Sequence, residues 1–156
     1  MDGETYVTLT KRPDTLGDHA GQISFPGGRI EEGETKKSAA LRETLEEVGI
    51  LGDKIELLGQ LTKLYIPPSD FDVFPFVGWH KGRPDFIRNR IEVAEIIEVP
   101  LSLLAQPSTI QVEEWDFGNG FVRDVHYFLV GEHKVWGATA MMLNELLSRL
   151  RAVAEQ

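Results

Sequence analysis

The chain has 156 residues, a hydrophobic content of 42%, a charged content of 26% and a formal net charge of -9. That length supports one domain, residues 1–156, with a substantial core, and the composition is that of an ordinary globular protein. The acidic balance speaks against a grip on a nucleic-acid backbone, which needs clustered Lys and Arg, and the lack of cysteine excludes disulfides, thiolate nucleophiles and zinc–cysteine sites.

Thr5 to Thr10 opens the chain with the β-branched and aromatic bias of a strand. The polar passage RPDTLGDHAGQ leads to a short apolar run, Ile23 to Phe25, and then to the turn Pro26-Gly27-Gly28. A helix follows and is closed by Gly49, a glycine suited to a left-handed cap. Ile55 to Tyr65 and Phe71 to Trp79 read as strands separated by the loop-forming IPPSD. Ile91 to Val99 reads as a strand stopped by Pro100, with a short turn or helix around Leu101 to Leu104. Ile110 to Phe117 and Phe121 to Val130 flank Gly118-Asn119-Gly120, a strong hairpin signal. A last helix spans about Gly137 to Ala154, with Ala140, Leu143, Leu147 and Leu150 spaced as an apolar stripe. Strands mixed with two good helices point to an α/β or α+β domain. None of these runs approaches the roughly 18 apolar residues of a membrane span, and no charged-then-apolar leader is seen, so a cytoplasmic protein without membrane contact is expected.

The first helix carries an anomaly. Leu41, Leu45 and Val48 fall on one narrow stripe at about 100° per residue, and that stripe is expected to face the core. Glu43, Glu46 and Glu47 gather on the opposite side, near the C-terminal end, behind only Ala39 and Ala40. Like charges at i,i+4 cost roughly 0.2–0.5 kcal/mol per pair, and anions in a last turn oppose the helix dipole by roughly 0.3–1 kcal/mol each. Only Arg42 is placed to relieve Glu46. A solvated face is the bland reading, but a divalent cation removes the conflict outright. Carboxylates without Cys or His make a hard-oxygen site for Mg²⁺ or Mn²⁺, and Mg²⁺ commonly shares its shell with substrate phosphates.

Gly28, Glu34 and Arg42-Glu43-Thr44-Leu45-Glu46-Glu47-Val48-Gly49-Ile50, at their spacing, resemble the Nudix box. Every charged and glycine position matches; Thr44 stands where a bulkier aliphatic residue is usual. The resemblance implies hydrolysis of a nucleoside diphosphate linked to another moiety, on an α/β/α sandwich with a mixed β-sheet. It implies Glu43, Glu46, Glu47 and the Gly28 carbonyl as metal ligands, with Arg42 and Glu34 fixing the loop and the carboxylate rotamers. A carboxylate would take a proton from the attacking water; Glu47 and a residue outside the box are both open for that task. Glu46, Glu47, Arg42 and Glu92 are thus the expected catalytic group.

Upstream, LTKRPDTLGDHAGQISFPGG resembles the extended motif of coenzyme A diphosphatases within this superfamily, through Leu9, Thr10, Arg12, Gly21, Phe25, Pro26, Gly27 and Gly28. Pro13 and Gly17 depart from it, the latter replacing a usual arginine. The resemblance implies a CoA-like nucleotide substrate, with Arg12, His19, Gln22 and Arg29 as the residues expected to bind it. ADP-ribose, NADH and dinucleoside polyphosphates are the alternatives, as is a binding module without turnover. A homodimer is left open.

Other residues divide between structural and functional readings. Glu92 is either a strand-end carboxylate in water or an additional metal ligand or base, with Glu95 and Glu98 as neighbours. Glu113 and Glu114 read as a solvated strand edge, or as a base brought over the site by a loop. Trp136 and Phe25 read as packing, and Tyr65 with Pro67 and Pro68 as a candidate substrate entrance.

Overall fold

The computed structural model describes residues 3–17 and 19–155. It divides into two compact units, Thr8–Ile97 and the described residues of Met1–Val7 with Glu98–Gln156.

β1 (Tyr6–Lys11), of which Thr8–Lys11 belong to the first unit, pairs antiparallel with β2 (Ile23–Ser24), setting Thr10 opposite Ser24. The helix α1 (Lys36–Val48) begins at a capping box in which Thr35 and Ser38 serve each other's backbone N–H groups at 3.0 and 2.9 Å. It ends at Gly49, in the left-handed conformation (φ 78°), whose N–H donates to the Leu45 carbonyl. β3 (Ile55–Gln60) pairs with β6 (Phe76–His80), and β4 (Leu64–Ile66) with β5 (Phe71–Val73), both antiparallel.

These four strands replace the two long ones expected. Pro75, which has no N–H, interrupts the second, and Leu61 leaves the first ladder to donate to the Pro75 carbonyl. The expected strand from Ile91 starts only at β7 (Glu95–Pro100), because residues 90–92 form a turn. β1 lies between β2 and β7 in a three-stranded sheet.

The second unit holds α2 (Leu101–Leu104), the antiparallel sheet of β8 (Ile110–Asp116), β9 (Val122–Val130) and β10 (His133–Val135), and α3 (Gly137–Ala154). The hairpin turn takes positive φ at Gly118, Asn119 and Gly120, as its sequence predicts. On α3, Leu143 and Leu147 are buried with Thr139 and Met142, while Leu150 of the expected stripe is exposed. Among the described residues the strands form four separately hydrogen-bonded sheets, and every described register is antiparallel.

One expectation about α1 is corrected. Leu45 is 43% exposed, whereas Ala39 and Val48 are buried and Glu43, Thr44 and Glu47 are half-buried. At about 100° per residue the inward arc runs from Ala39 through Glu43, Glu47 and Ala40 to Val48. The acidic side therefore faces inward, because Ala39 and Ala40 are small enough to let the helix approach on that side. Thr44 fits this arc by donating its hydroxyl to the Ala40 carbonyl at 2.8 Å.

Candidate active site

The loop before α1 presses its backbone against the inward carboxylates. The Gly27 N–H donates to Glu47 Oε2 at 3.2 Å. A Cβ on Gly28 would overlap the Glu43 carboxylate, which could stay in place only beside a glycine. Arg42 ties the same loop to the helix. Its Nε and Nη2 bind Glu34 in a fork, at 2.6 and 3.0 Å, while Nη2 also donates to the Arg29 carbonyl at 3.0 Å. Its Nη1 reaches Glu43 at 2.8 Å and Glu46 at 3.1 Å. The hydrogen bond from Arg42, with a second from the Glu31 N–H, holds the Glu34 carboxyl below its ordinary range, and Glu34 in turn raises the proton affinity of Arg42.

The carboxylates brought together are Glu43, Glu47 and Glu92, with one oxygen from each within 4.8 Å of the others. Glu46 lies outside this cluster, half-exposed and turned to Arg42. Glu92 joins it from the turn at residues 90–92. Burial pushes the Glu47 carboxyl up to about 7; Glu43 and Glu92 add repulsion, while the Gly27 N–H and Arg12 work in the opposite sense. Three oxygen donors without sulfur or imidazole, one of them reluctant to ionise alone, fit a hard divalent cation.

A polar cavity of about 130 Å³ adjoins the cluster, lined by Arg12, His19, Gln22, Gly27, Glu47 and Glu92 among others. Three of the four residues expected to contact substrate thus share one cavity with two of the acidic residues. They arrive there on a closed loop in which the Arg12 N–H donates to Gln22 O, Gly21 N–H to Arg12 O and Gln22 N–H to His19 O. Arg29 is not among the cavity's lining residues; its guanidinium lies 5.0 Å over the Phe71 ring. Lys36 likewise stands 3.8 Å over Phe74, a pairing the spacing along the chain does not announce.

The remaining candidates are occupied elsewhere. Glu113 accepts from Lys134 at 2.6 Å, Tyr127 at 2.9 Å and Trp115 at 3.0 Å, which lowers its carboxyl to about 2. It clamps the β8–β9–β10 sheet. Glu114 is exposed opposite Asp124. Trp136 packs edge-on against Trp115 with centroids 5.1 Å apart. Phe25 is half-buried, and the exposed Tyr65 donates its hydroxyl to Asp70 at 2.9 Å.

Residues 1–117 match the NUDIX domain family model. The chain belongs to the Nudix family. Nudix hydrolase 3 of Caenorhabditis elegans is 31% identical over an alignment covering 96% of this chain and 69% of that protein. The Nudix hydrolase NudL of Photorhabdus laumondii is 35% identical, covering 93% and 77%. The fold is shared with a MutT protein from Methanosarcina mazei, at a TM-score of 0.57 and 19% identity, covering 92% of this chain and 83% of that one. As a Nudix hydrolase, the protein is a pyrophosphohydrolase of nucleoside diphosphate derivatives, and its inward acidic cluster is the candidate site for the divalent metal that Nudix hydrolases use. None of its described helices is long and apolar enough to cross a membrane.

Proposed function

We propose that this Nudix hydrolase cleaves the diphosphate of coenzyme A or an acyl-CoA, giving 3′,5′-ADP and 4′-phosphopantetheine or its acylated form. The observation that carries the reading is the cavity in which Arg12, His19 and Gln22 meet Glu47 and Glu92. Those three belong to the segment before the box that distinguishes the CoA-directed group, and here they adjoin the acidic cluster.

Glu43, Glu47 and Glu92 would hold Mg²⁺ or Mn²⁺, and Gly28, whose Cα abuts the Glu43 carboxylate, would offer its carbonyl. Such an ion offsets the charge of the diphosphate oxygens and makes a nearby water more acidic. Arg12 supplies the cation that draws a phosphate into an otherwise acidic site, and His19 and Gln22 orient it by hydrogen bonds. Glu47, whose burial raises its proton affinity, takes the proton as the water oxygen bonds to phosphorus. The phosphorus–oxygen bond of the diphosphate bridge then breaks, and its electron pair leaves on the departing phosphate. Arg42 keeps Glu43 and the loop at residues 29–34 in register through its five described contacts of 3.1 Å or less. Glu46, held by Arg42 at 3.1 Å, lies outside the three-carboxylate cluster. Arg29, stacked on Phe71, is assigned to the substrate's distal part.

Parallel incubations with CoA, ADP-ribose, NADH and diadenosine tetraphosphate, with Mg²⁺ or Mn²⁺, test the substrate. CoA should be consumed fastest. CoA left intact while another is hydrolysed overturns the CoA assignment and leaves the family chemistry standing.

A further inference from the structure

Glu92 sits in a turn, yet its carboxylate meets two carboxylates carried by α1. Three like charges repel one another, and a carboxylate on a turn can relieve that repulsion by swinging into water. Some other contact must hold the turn in place. The hydrogen bonds that do so converge on one residue, Asn89, through its backbone N–H and carbonyl and its side-chain oxygen.

The Asn89 N–H donates to the Glu47 carbonyl at 3.0 Å, its Oδ1 accepts from the Ile91 N–H at 3.0 Å, and its carbonyl accepts from the Val93 N–H at 2.8 Å. Two residues earlier, the Ile87 N–H donates to the Val48 carbonyl at 2.9 Å. Residues 87 and 89 therefore satisfy two of the last-turn carbonyls of α1 that have no partner within the helix. Gly49 permits this approach, because a Cβ there would lie 2.5 Å from Ile87 Cβ and 2.8 Å from its nitrogen. The last glycine of the box thus both ends the helix and opens the space in which the next segment docks.

We propose that Asn89 is a positioning residue of the metal centre, fastening the turn that bears Glu92 to the helix that bears Glu43 and Glu47. Backbone bonds anchor the segment to the helix end, and the side-chain oxygen closes the turn over residues 89–93. The side chain acts only as an acceptor, so aspartate can replace it and alanine cannot. The inference rests on the assignment of Glu43, Glu47 and Glu92 as the cation site.

Mn²⁺ affinity, measured by electron paramagnetic resonance on the full chain without nucleotide, is the test. Asn89→Ala should weaken Mn²⁺ binding by about tenfold, at the lower end for groups that support metal ligands. Asn89→Asp should restore it to near the wild-type value. Asn89→Ala should cause no further loss when Glu92→Gln is already present, since the side chain acts through Glu92. Asn89→Gln, with its acceptor displaced by one methylene, replaces the alanine variant should the latter not fold, and the same loss is expected. Unchanged affinity in Asn89→Ala, or a loss that adds in full to that of Glu92→Gln, overturns the inference. Wild-type protein that takes up no Mn²⁺ refutes instead the cation site on which it depends.

Discussion

Replacing Glu47 by glutamine should stabilise the metal-free protein at neutral pH, although it removes the base of the proposed reaction. The native state holds the Glu47 carboxyl at about 7, against 4.5 for the ordinary group. Between those values the folded chain binds more protons than the unfolded one, so stability falls as pH rises and the loss is complete above about 7. Each pH unit in that window is worth about 1.4 kcal/mol, which sets a ceiling of roughly 3.5 kcal/mol. Partial solvent access to the carboxyl reduces this to about 2 kcal/mol. For a chain of this size that corresponds to about 4–8 °C in Tm. Thermal melts in EDTA from pH 5 to 8 measure it. Wild type should lose stability across the window, Glu47→Gln should show a flatter profile, and millimolar Mg²⁺ should restore the wild type by binding the native state alone. Glu34 and Glu113, whose carboxyls are shifted down, contribute only at lower pH and leave the window clear. Parallel wild-type and Glu47→Gln profiles in EDTA would refute the reasoning, since the desolvated carboxyl would then carry no cost.

Further outcomes follow from the same geometry. Gly28→Ala should lower Mn²⁺ affinity at least about tenfold, because its methyl would displace the Glu43 carboxylate; titration by electron paramagnetic resonance reads it. Glu46→Gln should weaken Mn²⁺ binding less than Glu43→Gln does, since only Glu43 lies in the cluster; equal losses would place Glu46 among the ligands. Gly17→Arg should lower KM for CoA about fivefold, worth about 1 kcal/mol for one added ion pair, and leave KM for 3′-dephospho-CoA unchanged. The substitution is sterically open, for a Cβ at Gly17 meets nothing within 4 Å.

What the sequence made legible, and what it hid, divides along a physical line. Features set by a few consecutive residues were readable: the Gly49 cap, the Gly118-Asn119-Gly120 turn, and α3 with its stated ends. The inward face of α1 was not, because apolar bulk was taken to mark the core. Leu45 is instead exposed beside Leu51 and Ile87 at a cavity of about 350 Å³, and the helix turns its smallest side chains inward. Close approach at Ala39 and Ala40 outweighs the burial that Leu45 forgoes, because it brings Gly27 and Gly28 onto Glu47 and Glu43. Glu92 was legible as a candidate ligand or base, but the turn that carries it was hidden for a related reason. The apolar run from Ile91 reads as strand, but Asn89 bends its first residues into a turn through bonds that no periodicity records.

The electrostatic argument survives this correction with one change of partner. A helix bearing Glu43, Glu46 and Glu47 was expected to be uncomfortable without a cation. In the folded chain Arg42 has removed Glu46 from the conflict and partly neutralised Glu43. The discomfort is concentrated on Glu47, the carboxyl that burial and two acidic neighbours act on together. A site selected for stability alone would have no reason to leave that half-buried carboxyl beside Glu92. Were a divalent ion to bind there, it would relieve the cost that burial and like charge place on Glu47, and folding stability would be coupled to occupancy of the site.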